Sequence, residues 1–244
     1  YTVLIPKKSD SALILSEYYT GAEDLEGDLL KAFLHDLIDD HQTYSYAFLW
    51  EALAKTDEDP NNPNNVILFY TGRSQSKEDH GGAVDEWNRE HVWAKSHGDF
   101  GNLVGPGTDM HHIRPTAVSV NGARAALDFD EGGSIVYDGS IATLNFKDGD
   151  SFEPRDEVKG DVARIIFYMV VRYEGDDGWP DLEMNDLVNN GGPYMGKLSI
   201  LLQWHLEDPP NEFEMNRNDI IESYQGNRNP FIDYPEFADL IWGN

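Results

Sequence analysis

The stretch NREHVW at residues 88–93 places an arginine, a carboxylate and a histidine side by side, directly before an apolar pair. Downstream follow DMHHIRP at 109–115 and VNGAR at 120–124. Short apolar runs at 91–93 and 110–114 are typical of strands, and the spacing over 116–127 predicts a helix, with Thr116 as its N-cap. The centre of the chain therefore predicts two short strands followed by a helix.

A glycine-rich connection at 98–107 separates the two predicted strands. Its glycines and turn residues favour neither a helix nor a sheet. We expect His97, at its start, to be exposed to solvent. The neighbouring pair His111 and His112 lacks the spacing of a zinc site, because adjacent residues of a strand face opposite ways.

The same segment contains the groups that phosphodiester hydrolysis requires, namely a base, a cation and a group that stabilises negative charge. His91 can act as a neutral imidazole base at physiological pH. Glu90 and Asn121 offer hard oxygen ligands suited to Mg²⁺ or Ca²⁺, and Arg124 can clamp a phosphate. Since Glu90 and His91 are neighbours on a strand, they can share a site only if the metal lies between that strand and the helix of Asn121.

The charge of the chain is unusual for a protein that binds a polyanion. Its 244 residues carry a net charge of −27, which repels nucleic acid at long range. The window 87–126 differs, with four basic against three acidic side chains. Two explanations of the acidic remainder stay open: a saline habitat, in which ions screen the repulsion, or an ordinary solvated acidic face.

Other features bear on where the protein works. The chain starts at Tyr1 without a charged, apolar leader, so we expect a mature exported product, secreted or periplasmic. It has no cysteine, so any metal must use oxygen or imidazole ligands. No apolar run reaches the length of a membrane helix, and neither a membrane nor a protein partner is implied.

The remaining pattern predicts a mainly helical α+β fold. Apolar residues at helical spacing predict helices over 24–41, 44–55, 158–173, 193–205, 211–224 and 235–242. We expect a loop over 57–65, a buried strand over 66–70, and a hairpin formed by 134–137 and 142–146. Nothing resembles a linker, so the interpretation is a single domain over 1–244.

The three central motifs, in this order and spacing, resemble the endonuclease I family of secreted and periplasmic bacterial nucleases. EP at 153–154, KGDVAR at 159–164 and QGNRNPF at 225–231 resemble later blocks of that family. The sequence departs from the family pattern at Ala94 and Ala126, where proline and asparagine are frequent. Neither position is a proposed base or metal ligand.

This resemblance implies a ββα-metal finger, also called a His-Me finger, over about 87–127. In it His91 is the general base, Glu90 and Asn121 bind one divalent cation, and Arg124 stabilises the phosphate or the leaving group. The cation is expected to be Mg²⁺, with Ca²⁺ or Mn²⁺ as alternatives. The expected substrate is DNA, and whether RNA is cleaved as well stays open. Candidate substrate contacts are Arg89, His112 and Arg114.

Two other functions compete with a nuclease. The first is a non-catalytic or calcium-binding surface module that keeps the fold, and intact Glu90, His91 and Asn121 oppose it. The second is a metal-dependent phosphomonoesterase, which the same metal chemistry supports. An extended phosphate-lined groove would favour the nuclease.

Overall fold

The computed structural model describes residues 15–188 and 191–243, and it confirms an α+β fold. Helices surround several small sheets. The helices are α1 Gly27–Ile38, α2 Leu49–Thr56, α3 Val118–Arg124, α4 Lys159–Arg172, α5 Leu198–Glu207, α6 Glu212–Gln225, α7 Pro230–Asp233 and α8 Glu236–Trp242. None of the helices within these described ranges is both long and apolar enough to cross a membrane.

The strands form four sheets within the described ranges. Their bounds are β1 Glu58–Asp59, β2 Asn62–Ile67, β3 Ser74–Ser76, β4 Trp87–His91, β5 Ile113–Ala117, β6 Asp128–Phe129, β7 Ser134–Asp138, β8 Ile141–Lys147, β9 Ser151–Glu153, β10 Glu183–Met184 and β11 Tyr194–Met195. The sheet orders are β1-β2-β3, β4-β5, β6-β9-β8-β7 and β10-β11. The predicted hairpin is confirmed as the antiparallel pair β7 and β8.

Helix α4 is the centre of the hydrophobic core. All fourteen of its residues are buried, although four of them are charged. It packs against α1, α5 and α7, and the buried cluster around it extends from Tyr19 to Ala238. Its charged residues Asp161 and Arg164 are buried as well, which is possible because both are paired.

Several predicted boundaries are wrong. The predicted helix over 24–41 covers only Gly27–Ile38, and the one over 44–55 begins at Leu49. The asparagine- and proline-rich segment 57–65, expected to be a loop, contains β1 and most of β2. Pro63 is tolerated there because it falls where the pairing register shifts, so no ladder hydrogen bond is lost. The strand expected over 66–70 ends at Ile67.

The two central strands are also displaced from their expected positions. They pair antiparallel from Trp87 opposite Ala117 to His91 opposite Ile113. Thr116 is therefore part of β5 rather than the N-cap of α3. Helix α3 needs no side-chain cap at this point, because the first free N–H, that of Val118, donates to the carbonyl of Glu86 at 3.0 Å.

Candidate active site

A cavity of about 420 Å³ lies where β4, α2 and α3 meet. Five of the seven predicted site residues line it: Arg89, Glu90, His91, Asn121 and Arg124. Glu90 and His91 thus reach one cavity although they are neighbours on a strand. The unit formed by β4, β5 and α3 brings Glu90 and His91 to the same cavity as Asn121, which lies about thirty residues further along the chain.

His91 ends β4 and is held in one orientation. Its Nε2 lies 3.1 Å from the carbonyl oxygen of Gly107. A carbonyl only accepts, so Nε2 carries the proton and Nδ1 keeps its lone pair. Burial lowers the pKa of His91 well below its ordinary value, and neighbouring His112 lowers it further. The imidazole is therefore neutral and can accept a proton.

Glu90 places a carboxylate in the cavity wall with few partners. Its Oε1 accepts from the hydroxyl of Tyr70 at 3.1 Å and lies 3.5 Å from Nη1 of Arg124. Burial raises the pKa of Glu90 to about 7, although Arg124 acts in the opposite direction. Such a carboxylate gains from a bound cation, which compensates the cost of burying its charge.

Asn121 on α3 is oriented by a second asparagine. Its Nδ2 donates to Oδ1 of Asn88 at 2.8 Å, which leaves the Asn121 oxygen as an acceptor. Glu90 and Asn121 together offer two hard oxygen ligands. This set fits Mg²⁺, which is commonly bound by few protein oxygens and keeps several waters. Within residues 15–188 and 191–243 no three His, Cys, Asp or Glu residues form a metal cluster, so the fit rests on this pair.

Arg124 lies beneath the cavity and is 1% exposed. Its guanidinium donates to the carbonyl of His91 at 3.1 Å and to that of Val92 at 2.6 Å. These bonds join α3 to the end of β4. The geometry thus supports a role in holding the strand that ends at His91, in addition to the ion pair with Glu90.

The structure places the other two candidate substrate contacts away from the cavity. His112 is buried behind His91, with 5.4 Å between ring centroids, and its Nε2 is bonded to the carbonyl of Pro106. Arg114 is buried in an internal ion network, with Nε 2.8 Å from Asp57. His97, expected to be exposed, is 7% exposed, and its Nδ1 lies 2.6 Å from the carbonyl of Tyr194.

The cavity wall also contains residues to which the sequence assigned no role, among them Tyr46, Trp50, Asn88 and Lys95. Tyr46 and Trp50 are four apart, a spacing that places two side chains on one helical face, and this was the available signal. Their rings enclose the guanidinium of Arg89. Asn88 was part of the quoted motif, and only its bond to Asn121 shows its use.

A neutral imidazole beside two hard oxygen donors is a set of groups that can support metal-assisted phosphodiester hydrolysis. The model of the family described as Endonuclease I matches residues 26–236. The chain belongs to the endonuclease I family.

Relatives with known names agree with this assignment. The chain is 61% identical over 227 residues to an extracellular ribonuclease of Bacillus subtilis (strain 168), covering 92% of this chain and 78% of the relative. It is 58% identical over 247 residues to an extracellular ribonuclease of Bacillus amyloliquefaciens, covering 99% and 84%. An extracellular deoxyribonuclease of Aeromonas hydrophila is 29% identical over 138 residues, covering 55% and 51%.

These findings confirm that the protein is a nuclease and that it is exported, as its relatives are. The competing interpretation as a non-catalytic surface module is not supported.

Proposed function

We propose that the protein is an extracellular, metal-dependent endonuclease that cleaves RNA and DNA. His91 is the general base, and one divalent cation binds to Glu90 and Asn121. One observation carries the proposal: the free Nδ1 of His91, the buried carboxylate of Glu90 and the oriented oxygen of Asn121 belong to one cavity.

The proton transfer follows from the state of His91. Its Nε2–H is held by Gly107, so Nδ1 takes the proton from the attacking water. The fixed ring lies against the ring of Tyr46, with 5.8 Å between centroids, and above His112. These contacts keep the imidazole in position, so little reorganisation precedes the reaction.

A bound cation, for which the ligand set suits Mg²⁺, would supply positive charge for the phosphate in the transition state. Glu90 and Asn121 would hold it. Asn88 orients Asn121, and Tyr70 and Arg124 orient Glu90. We assign Arg124 a place beside the reacting phosphate. Its hydrogen bonds to the carbonyls of His91 and Val92 support a second role in positioning the end of β4.

Charge on the cavity walls supports a polyanionic substrate despite the acidic body. Most arginines and lysines of the described residues form ion pairs with carboxylates, as in Arg73 with Asp138. Arg89 and Lys95 line the cavity, and within the described ranges neither has a carboxylate oxygen within 4.0 Å. Their charge is available to phosphate.

The choice of substrate rests on the relatives and on the chemistry. Relatives at about 60% identity are named ribonucleases, and a more distant one is named a deoxyribonuclease. The proposed base acts on water, so the reaction does not need a 2′-hydroxyl. We therefore expect RNA to be cleaved and DNA to be accepted.

The test is digestion of RNA and DNA single strands of matched sequence, with Mg²⁺ and with EDTA. Both polymers should be cleaved internally, EDTA should stop cleavage, and added Mg²⁺ should restore it. Undiminished cleavage in EDTA would overturn the metal assignment. Release of single nucleotides from an end only, or cleavage of one polymer alone, would overturn the corresponding part of the proposal.

A further inference from the structure

One arginine of the active site is fixed as a flat group between two aromatic rings. The guanidinium carbon of Arg89 lies 3.6 Å from the ring centre of Tyr46 and 3.8 Å from that of Trp50. Its Nη1 donates to the main-chain carbonyl of Tyr46. Trp50 is itself stacked on His80, with 4.2 Å between centroids. Both faces and one nitrogen of the guanidinium are therefore occupied, and its orientation is set in advance.

On the opposite edge of this guanidinium, Nε is buried and has no hydrogen bond to any of residues 15–188 and 191–243. Nε and Nη2 form one edge with two parallel N–H groups, a geometry that matches two oxygens of a phosphate. A buried donor without an acceptor is costly, so a bound phosphate oxygen would relieve that cost.

This edge does not belong to the phosphate being cleaved. Tyr46 contacts both groups: its ring centre lies 3.6 Å from the guanidinium carbon of Arg89 and 5.8 Å from the ring centre of His91, with 22° between the two ring planes. Arg89 and His91 are two residues apart on β4, which places their backbones about 6 to 7 Å apart. The Arg89 edge is therefore displaced along β4 from a phosphate attacked beside His91. The phosphate that this edge can bind is a neighbour along the same strand.

We infer that Arg89 forms a second phosphate-binding subsite, which takes the phosphodiester adjacent to the one being hydrolysed. Tyr46 and Trp50 are positioning residues for that subsite, because they hold the guanidinium flat with its free edge in the cavity wall. The inference rests on the proposed nuclease function and makes it more specific. The substrate is recognised as a chain with at least two consecutive phosphates, which a phosphomonoester or a single isolated linkage does not provide.

The experiment compares two small substrates on the intact protein with Mg²⁺. One is a dinucleoside monophosphate, which contains a single phosphodiester. The other is the same compound with a terminal phosphate, tested at the 5′ end and at the 3′ end. At one of the two ends the added phosphate should raise kcat/KM at least about tenfold, mainly by lowering KM, as expected for a charge-assisted bidentate contact.

Variants of Arg89 and Trp50 show whether Arg89 causes the gain in kcat/KM from the added phosphate. In Arg89→Lys and Trp50→Ala the gain should largely disappear, since lysine lacks the two-donor edge and alanine releases one face. Trp50→Phe should retain most of it, because a flat ring remains. Lys55→Ala is the matched control: it removes a positive charge from the exposed side of the same helix and should leave the gain at the level of the unmodified protein.

Two results would overturn the inference. In one, the unmodified protein cleaves the dinucleoside monophosphate but gains nothing from a phosphate at either end. In the other, Arg89→Lys and Trp50→Ala lower kcat/KM on both substrates by the same factor, as a purely structural role predicts. Thermal unfolding of each variant separates loss of fold from loss of the subsite. Failure of the proposed function looks different, because the unmodified protein then cleaves neither small substrates nor polymers.

Discussion

Two buried charged regions of this protein differ in how completely their groups are paired. In an internal ion network, formed by Asp57, Arg114, Asp161, Arg164, Glu214 and Arg217, each charged group faces an opposite one. Arg164 donates two hydrogen bonds to Glu214, at 2.7 and 2.6 Å. Both Arg114 and Arg217 donate to Asp57. At the cavity, Glu90 has one hydroxyl at 3.1 Å and one guanidinium at 3.5 Å.

The two glutamates show what the difference means. Burial raises the pKa of Glu90 to about 7, and burial with the nearby Asp161 does the same for Glu214. A perturbed pKa therefore does not distinguish a functional carboxylate from a structural one. The distinction lies in the partners: Glu214 is satisfied within the fold, whereas Glu90 retains capacity for a ligand.

The largest expected effect is on the base. His91→Ala should lower kcat by about 10² to 10⁴, the range of general-base catalysis, while the protein stays folded. The matched control is His205→Gln, since His205 is also buried and bonded through Nε2 to a carbonyl, that of Pro235 at 2.8 Å, but lies outside the cavity. Steady-state kinetics on RNA should separate the two variants; equal kcat values would remove His91 from its proposed role.

The next effect concerns stability in the ion network. Arg217→Met leaves Asp57 with one fewer partner and the carbonyls of Met110 and Ile113 without their donor. Breaking a buried pair costs about 3 to 5 kcal/mol, so the urea midpoint should fall strongly. Arg73→Met removes a more exposed pair with Asp138 and should cost less than about 1 kcal/mol. Similar losses in both would contradict the contrast between buried and exposed pairs.

A smaller effect is expected from pH. Burial lowers the pKa of His205 to about 4, below its ordinary value of 6.5. Between these two pH values His205 is protonated in the unfolded chain but not in the folded state, so the stability of the fold falls as pH drops from 6.5 towards 4. One such histidine contributes at most about 1.4 kcal/mol per pH unit. Between pH 6 and 4.5, the unfolding free energy of His205→Gln should therefore change less steeply than that of the unmodified protein; parallel slopes would refute this.

The sequence identified residues that the fold brings to one cavity, but it did not predict their supporting contacts. Glu90, His91 and Asn121 were selected because they lie in short motifs with a characteristic order, and all three line the cavity. Arg89 and Arg114 could not be told apart, since both are arginines of the same motif region. Only the fold shows that Arg89 faces the cavity, while Arg114 is paired with Asp57, 57 residues away along the chain.

The boundaries of the central strands and of α3 were predicted wrongly for a related reason. The positions of β4 and β5 depend on their mutual register, which places Trp87 opposite Ala117, and local apolar runs do not encode that register. Thr116 has the composition of an N-cap, yet a carbonyl from Glu86 meets the first N–H of α3. The fold class, in contrast, follows from helical spacing over long segments, which depends little on tertiary contacts.

The most direct test compares Glu90→Gln with Glu214→Gln, by activity per folded molecule and by unfolding in urea. Glu90→Gln should lose at least about a hundredfold in rate, as expected when a metal ligand is removed. Without metal it should be as stable as the unmodified protein or more so, because it removes a buried charge whose nearest guanidinium nitrogen is 3.5 Å away. Glu214→Gln should lose stability through its pair with Arg164 yet keep its activity while folded. A Glu90→Gln protein that remains fully active, or a folded Glu214→Gln protein that is inactive, would contradict the assignment of these two carboxylates.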